Sequence, residues 1–300
     1  MAATLLLATG THAAGELQEI VVTAELRQTP LLQTSRSVSV ITSDEITQRS
    51  ARHLEEVLAA APNVNYAAGS SRARFFQVRG IGERGQFQEP LNPSVGVLLD
   101  GVDVSGVGTI GTLFDVEQVE ILRGPQGTLH GANALAGLIN IRSADPTETF
   151  EHKLEATAGD YASYGVGASS SGPISEHLLY RVAGWQSTSD GFIDNDFTGD
   201  DDTNDRDELT LRGKLRWLVD DRNSLDLSIN YVDVDNGYDT FSLDNRRHTL
   251  SDQPGRDTQE TTTVALRWTA SLNAANLDTL LSYADTDTDY GYDEDWTFEG

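Results

Sequence analysis

The sequence predicts a small α/β domain over residues 37–145, followed from residue 146 by antiparallel strands of the kind that cross a membrane as a β-barrel. Three observations predict it. Up to residue 143, short apolar strand words mix with short helical words and are punctuated by Gly and Pro. Beyond Asp145-Pro146 the helical period vanishes and long period-two segments replace it. The charge changes at the same place: residues 1–145 hold 10 Arg against 15 Asp or Glu, whereas residues 146–300 hold 11 Arg or Lys against 32. The total of −26 disfavours a nucleic-acid partner, and the absence of Cys removes disulfides and thiolate metal sites.

Taken in order, residues 1–14 read as the remnant of a secretory signal peptide, an apolar core at 5–8 followed by Thr11-His12-Ala13. Residues 15–36 form an extended arm broken by Pro30, and within it stands one β-prone word, Glu19-Ile20-Val21-Val22-Thr23-Ala24. Residues 37–41 alternate as a strand. Ser43-Asp44-Glu45-Ile46 then opens a helix with a capping residue and first-turn acids. A second helix over 53–61 puts Leu54, Val57 and Leu58 on one face and is stopped by Pro62. Residues 75–79 and 94–99 are further strands, the latter turning at Asp100-Gly101. Residues 115–141 combine a strand (Val116, Val119, Ile121), a turn at Arg123-Gly124-Pro125, a small-residue stretch over 127–137 and a last strand at 138–141.

After residue 146, Leu209, Leu211, Leu215 and Trp217 alternate with Thr210, Arg212, Lys214 and Arg216. Leu225, Leu227, Ile229 and Tyr231 alternate with Asp226, Ser228 and Asn230, and Val264, Leu266 and Trp268 with Ala265, Arg267 and Thr269. Each segment is near the roughly 9–11 residues a tilted strand needs to cross a bilayer. A soluble sheet with one wet face has the same period. Aromatic residues expected at strand ends (Trp217, Tyr231, Tyr283) and a charged opposite face favour the membrane form. Connection lengths agree: 159–165 and 172–175 are brief, 193–208 long, 219–224 short, 236–260 long and 273–276 short. Barrels of outer membranes sort short turns and long loops by side in this way. Inward Arg212, Lys214, Arg216 and Arg267 suit either an anionic substrate or acids of the preceding domain, and the second reading is favoured.

Several motifs suggest other chemistry. Gly80-Ile81-Gly82-Glu83-Arg84-Gly85 fits a dinucleotide fingerprint, but Pro90 and Pro93 follow where a helix is required, so it reads as a loop. Asp194, Asp196, Asp200, Asp202 and Asp205, with Gly199 at position six, approximate a calcium loop. Thr198 and Asp205 depart from the usual pattern and no helices flank it, so a solvated acidic loop is the favoured reading. The six His residues have no metal-ligand spacing, and no nucleophile–base constellation stands out. The expectation is a non-enzyme without a cofactor.

The stretch VEILRGPQGTLHGANALAGLINI closely resembles the plug-domain signature of TonB-dependent outer-membrane receptors. SVSVITSDEI, HLEEVLAAAPNV, FFQVRGIG and VGVLLDGV stand in the order of that plug. LQEIVVTA resembles the TonB box, the word a periplasmic coupling protein grasps as an added strand. The resemblance implies a plug at 37–145 and, from 146 to 300, the first six or seven strands of a barrel of about 22. It implies a fragment truncated at both ends, with no room before the box for a signalling domain. It also implies active import of a scarce nutrient, most often a ferric siderophore, with TonB, ExbB and ExbD as partners. The protein would be a monomer, lying among outer-membrane lipid and lipopolysaccharide with its plug toward the periplasm. Arg79 and Arg123 would anchor the plug to glutamates of the wall, and Arg84, Gln86 and Phe87 would face substrate. A passive porin-like or ligand-binding barrel is the alternative, and a soluble calcium-binding β-protein the third reading.

Overall fold

The computed structural model describes residues 20–24, 29–68, 71–84, 92–106 and 111–298. The leader at 1–14, part of the arm, Glu19, Gln86 and Phe87 lie outside the described residues.

The first region begins with a small antiparallel pair, β1 (Val21–Val22) and β2 (Thr29–Pro30). It continues through β3 (Ser37–Thr42), α1 (Ser43–Gln48), α2 (Leu54–Leu58), β4 (Val64–Ala67), β5 (Phe75–Val78), β6 (Val95–Leu99), β7 (Val102–Asp103), β8 (Val116–Arg123), α3 (Gly127–His130) and β9 (Gly137–Ser143). Five of these strands form one sheet in the order β3-β8-β9-β6-β7, in which only β6 and β9 run parallel; β4 and β5 make a separate hairpin.

Local chemistry explains the elements. A capping box starts α1: Thr42 Oγ1 accepts from Glu45 N at 3.3 Å, and Glu45 Oε2 accepts from Thr42 N at 3.1 Å. α2 buries Leu54, Val57 and Leu58, as its period requires, but ends at Leu58 because residues 59–61 tighten into turns before Pro62. The sheet shows strict two-residue alternation. Val119, Ile121, Ile139, Ile141, Val95, Val97 and Leu99 join the core beneath α1, α2 and the β4–β5 hairpin. Leu98, Leu122 and Leu138 point to the other face, where Ala24 covers them. The sequence reading has no counterpart for β4, β7 or α3.

The second region contains β10 (Glu151–Ala158), β11 (Tyr164–Ser175), β12 (Leu178–Ser189), β13 (Asp194–Asn195), β14 (Arg206–Asp220), β15 (Asn223–Gly237), β16 (His248–Thr249), β17 (Arg256–Ser271) and β18 (Asn276–Gly291). Seven of them form an antiparallel meander, β10-β11-β12-β14-β15-β17-β18. The sheet is open, and among the described residues it does not close into a barrel. Residues 172–175 are not a connection, as expected, but the end of β11, distorted by an irregularity between Pro173 and Ser175; the turn is 176–177. The long connections, 190–205 and 238–255, lie at one end of the meander and the tight turns 176–177, 221–222 and 272–275 at the other.

The long strands outrun the predicted crossing length because only part of each is apolar outside. Leu215, Leu227, Leu266 and Leu281 stand side by side across four strands. Trp217 and Trp268 flank that row toward the tight turns, each about half exposed. Toward the long loops the same face turns acidic at Asp233, Asp235, Glu260 and Asp287. Tyr231 and Tyr283 lie within β15 and β18 rather than at their ends, marking the change from apolar to acidic surface. No helix among the described residues is long and apolar enough to cross a membrane.

Candidate functional site

The α/β domain sits on the inner face of the meander, and the polar residues of the alternation meet it there. On β14, Glu208, Thr210 and Arg212 are buried while Leu211, Leu215 and Trp217 are exposed. Three groups of contacts join domain and wall.

Near the long loops, Glu208 takes Arg72 on both oxygens, with Nε to Oε1 at 3.0 Å and Nη2 to Oε2. His53 Nε2 lies 2.9 Å from Oε2, and Asn236 Nδ2 donates to Oε1 at 3.1 Å. Beside it, Asp257 accepts from Ser71 N and Oγ at 2.8 and 2.7 Å and from Arg74 Nη2 at 2.6 Å. Midway, Thr112 N donates to Thr210 Oγ1 at 3.2 Å, and Arg212 donates to the carbonyls of Thr112 (2.5 Å) and Phe114. Gly111, at φ +73, permits this approach: a Cβ there would lie 2.3 Å from Thr210 Oγ1. Toward the tight turns, Arg181 grips Asp115 at 2.8 and 2.5 Å, and Lys214 Nζ reaches Asp100 at 3.1 Å and Asp145 at 3.3 Å. Burial works against ionising Asp100, but Lys214 and the bonds from Ser143 outweigh it and hold the carboxyl below its ordinary value. The inward cations Arg212 and Lys214 therefore meet the preceding domain, as the sequence reading favours. Arg216 divides between Asp226 and Asp145, and Arg267 pairs with Asp278 on the neighbouring strand.

His53 carries a pH dependence. Burial and the nearby Arg72 both disfavour its charged form, but hydrogen bonds to Glu208 and Glu56 outweigh them and raise its pKa above 6.5. A raised folded value means stability that is fully present below 6.5 and lost as pH rises through the folded pKa. Docking of the α/β domain, followed by hydrogen exchange of residues 71–78 at stepped pH, is expected to weaken across that window. The His53→Gln variant should show a flat profile there, and a slope unchanged in the variant would reject His53 as its source.

Arg79 and Arg123 lie close together. Arg123 Nε donates to Pro62 O at 2.9 Å and Nη2 to Ser39 Oγ at 2.8 Å. Burial and the neighbouring Arg79 lower its pKa. Among the described residues neither arginine has an ion-pair partner.

The β-prone arm word is docked on the domain rather than free. Leu31 N donates to Ile20 O at 2.9 Å, Val21 and Val22 pair with Pro30 and Thr29, and Val22 and Ala24 are buried. Glu120, fully buried on the second face of the sheet, holds Thr23 and Ala24. The sequence reading missed Glu120, Glu208, Arg72 and His53. The available signal was an acid between Val119 and Ile121 on β8 for Glu120 and, for Glu208, its place in the inward register of Thr210 and Arg212 on β14.

The acidic stretch at 194–205 is organised by its backbone, in keeping with the solvated-loop reading favoured from the sequence. Among the described residues no three acids or histidines converge as a metal site. Asn195 Oδ1 instead accepts from Phe197 N (2.9 Å) and Thr198 N (3.0 Å), so Asp194, Asp196, Asp200, Asp202 and Asp205 spread around a backbone-organised turn. The two long loops also clasp each other: β13 pairs parallel with β16, and buried Asp239 accepts from Asn195, Thr203 and Thr249 at 2.7–2.8 Å. Arg84 is described, and no ion pair involves it among the described residues.

Comparison with known proteins places this geometry. Residues 30–138 match the family model of the TonB-dependent receptor plug domain. The chain is 32% identical over 206 residues to the pesticin receptor of Yersinia enterocolitica, covering 66% of this chain and 30% of that relative. It is 26% identical to the vitamin B12 transporter BtuB of Vibrio vulnificus, over 67% of this chain and 33% of that relative. The chain thus spans about a third of the length of these curated relatives. Among solved structures it is similar to the ferric yersiniabactin uptake receptor FyuA from Yersinia pestis, with TM-score 0.78, 24% identity, and coverage of 87% of this chain and 42% of that one.

Proposed function

Because the chain belongs to the TonB-dependent receptors, with its plug matched over residues 30–138, we propose that the whole protein imports a scarce nutrient, a ferric siderophore foremost, across the bacterial outer membrane. The observation that carries this reading is the docked arm: a short strand, residues 20–24, held on the plug by contacts that a pull can undo one at a time.

Substrate enters from the long-loop side, and Arg84, with Gln86 and Phe87, belongs to the plug loop that meets it. Occupancy frees the word Glu19 to Ala24, which TonB takes up as an added strand. ExbB and ExbD supply the force, and the plug shifts while the wall holds. The exposed Arg79, and Arg123, whose guanidinium bonds to Pro62 O and Ser39 Oγ, anchor the plug against wall carboxylates, which supply the counter-charge that both lack among the described residues. The apolar row of leucines faces lipid and the acidic surface above it faces lipopolysaccharide, with the plug and arm toward the periplasm. The protein works as a monomer and makes or breaks no bond in its cargo.

Deleting residues 19–24 from the full-length receptor is expected to abolish energised uptake of a labelled ferric siderophore while leaving binding to whole cells intact. Uptake that survives the deletion would overturn active transport in favour of a passive barrel.

A further inference from the structure

We propose that Glu120, with Gln118 and Asn140, is the latch that keeps the coupling strand withdrawn, a positioning group rather than part of the plug core. The inference rests on the coupling reading above and adds the residue that sets how readily the strand is released.

Glu120 is 0% exposed. It lies on the face of the sheet where Leu98, Leu122 and Leu138 form an apolar cluster with Ala24. A leucine at 120 would satisfy that packing, whereas a buried carboxylate is tolerated only where donors surround it. A carboxylate accepts and never donates, and here its bonds come from five donors. Three belong to the arm: Thr23 N and Thr23 Oγ1 reach Oε1 at 2.7 Å, and Ala24 N reaches Oε2 at 2.7 Å. Two belong to the sheet: Gln118 Nε2 at 2.5 Å and Asn140 Nδ2 at 3.2 Å. Among the described residues no Lys, Arg or His pairs with it. Gln118 Nε2 also donates to Val21 O at 3.1 Å, and Asn140 Nδ2 to Thr23 Oγ1 at 3.4 Å, so both amides bridge the sheet and the arm.

The consequence is a two-position device. With the strand seated, Glu120 is satisfied by these five donors. Once the strand leaves, it keeps only two side-chain amides, and water must replace the backbone donors. The buried acid thus favours the seated strand by the difference, and the strand's backbone N–H groups together with the Thr23 hydroxyl form the bond. Because two of the three arm donors are main-chain N–H groups, the latch reads the extended shape of residues 23–24 as well as the Thr23 hydroxyl, and ties release to a change in that shape.

The 300 residues contain no Cys, so with any Cys elsewhere in the full-length receptor changed to Ser, a Val22→Cys reporter on the buried strand can be followed by maleimide labelling in isolated outer membranes, without TonB or substrate. In that background Glu120→Gln, which keeps the volume but gives up an acceptor oxygen, is expected to speed labelling about tenfold or more, the scale of one hydrogen bond to a charged group. Thr23→Val removes only the hydroxyl donor and is expected to speed it about threefold to tenfold. Hydrogen exchange over β8 and β9 should stay at the parent level in both. If Glu120→Gln loosens β8 and β9, Thr23→Val decides, because residue 23 lies outside the sheet. A labelling rate unchanged by Thr23→Val, or by Glu120→Gln with the sheet intact, overturns the latch. That outcome differs from failure of the coupling reading, which is uptake surviving deletion of residues 19–24 and leaves the labelling result untouched.

Discussion

Replacing Glu208 with Ala is expected to detach the plug from the long-loop end of the wall at a cost of about 3–5 kcal/mol, the range for stripping a buried cation of its carboxylate. Glu208 is 2% exposed, as is Arg72. The carboxylate takes both sides of the Arg72 guanidinium, the His53 imidazole and the Asn236 amide. Its removal leaves charged and polar donors on the plug facing an apolar methyl. The check is amide exchange in the full-length receptor: protection at residues 53 and 71–78 should fall by two or more orders of magnitude, with the meander strands unaffected. Pairing Glu208→Leu with Arg72→Met should recover most of the loss, since an apolar pair of similar volume often replaces a buried ion pair at little cost. Equal losses in the single and double variants would show that packing, not charge, holds this end.

Beside the middle group of contacts, where Trp185 stands opposite Thr210, Trp185→Ala is expected to cost about 3–5 kcal/mol as a large core aromatic lost without refilling. Trp185, on β12, is 2% exposed and packs on plug residue Phe114 with ring centroids 5.3 Å apart. The Arg52 guanidinium lies 4.3 Å above the indole, adding a cation–π contribution. The ring lies flat on a glycine track of β11, where a Cβ at Gly167 would stand 2.4 Å from Trp185 Cε3. Nothing nearby collapses easily into the space, because the track is backbone. Faster exchange confined to residues 52 and 112–116 is the expected signature; a change spread over the whole meander would mean that Trp185 stabilises the wall itself.

Much of the fold was legible because the period of the chain carries it. Residues 37–41 and 115–141 became β3, β8 and β9, three adjacent strands of the plug sheet, and the alternation at 209–217 and 223–231 became the two faces of β14 and β15. Arg212 and Lys214 met the plug as expected because a cation on an inward face needs an acceptor, and the domain ahead of it supplied them. The organisation of the acidic loop was not legible, because acid spacing along a chain says nothing about where the backbone turns; Asn195, not an aspartate, organises that loop. Glu120 and Glu208 escaped notice for a different reason. Each lies in a strand word that reads well without it, and its partner is some 97 or 136 residues away in sequence. The β4–β5 hairpin was missed because Val64 to Ala67 is too short and too polar outside to show a period.

The clasp between the two long loops has a kinetic consequence. β13 pairs with β16, and Asp239 ties three side chains from both loops into one buried knot. Loops fastened together cannot wander independently, so their conformational entropy is spent during folding. A molecule meeting this rim encounters one stiff body, and displacing either loop must drag the other along. Motion at this end of the meander is thus correlated between the two loops, and sequence change in one is constrained by the other.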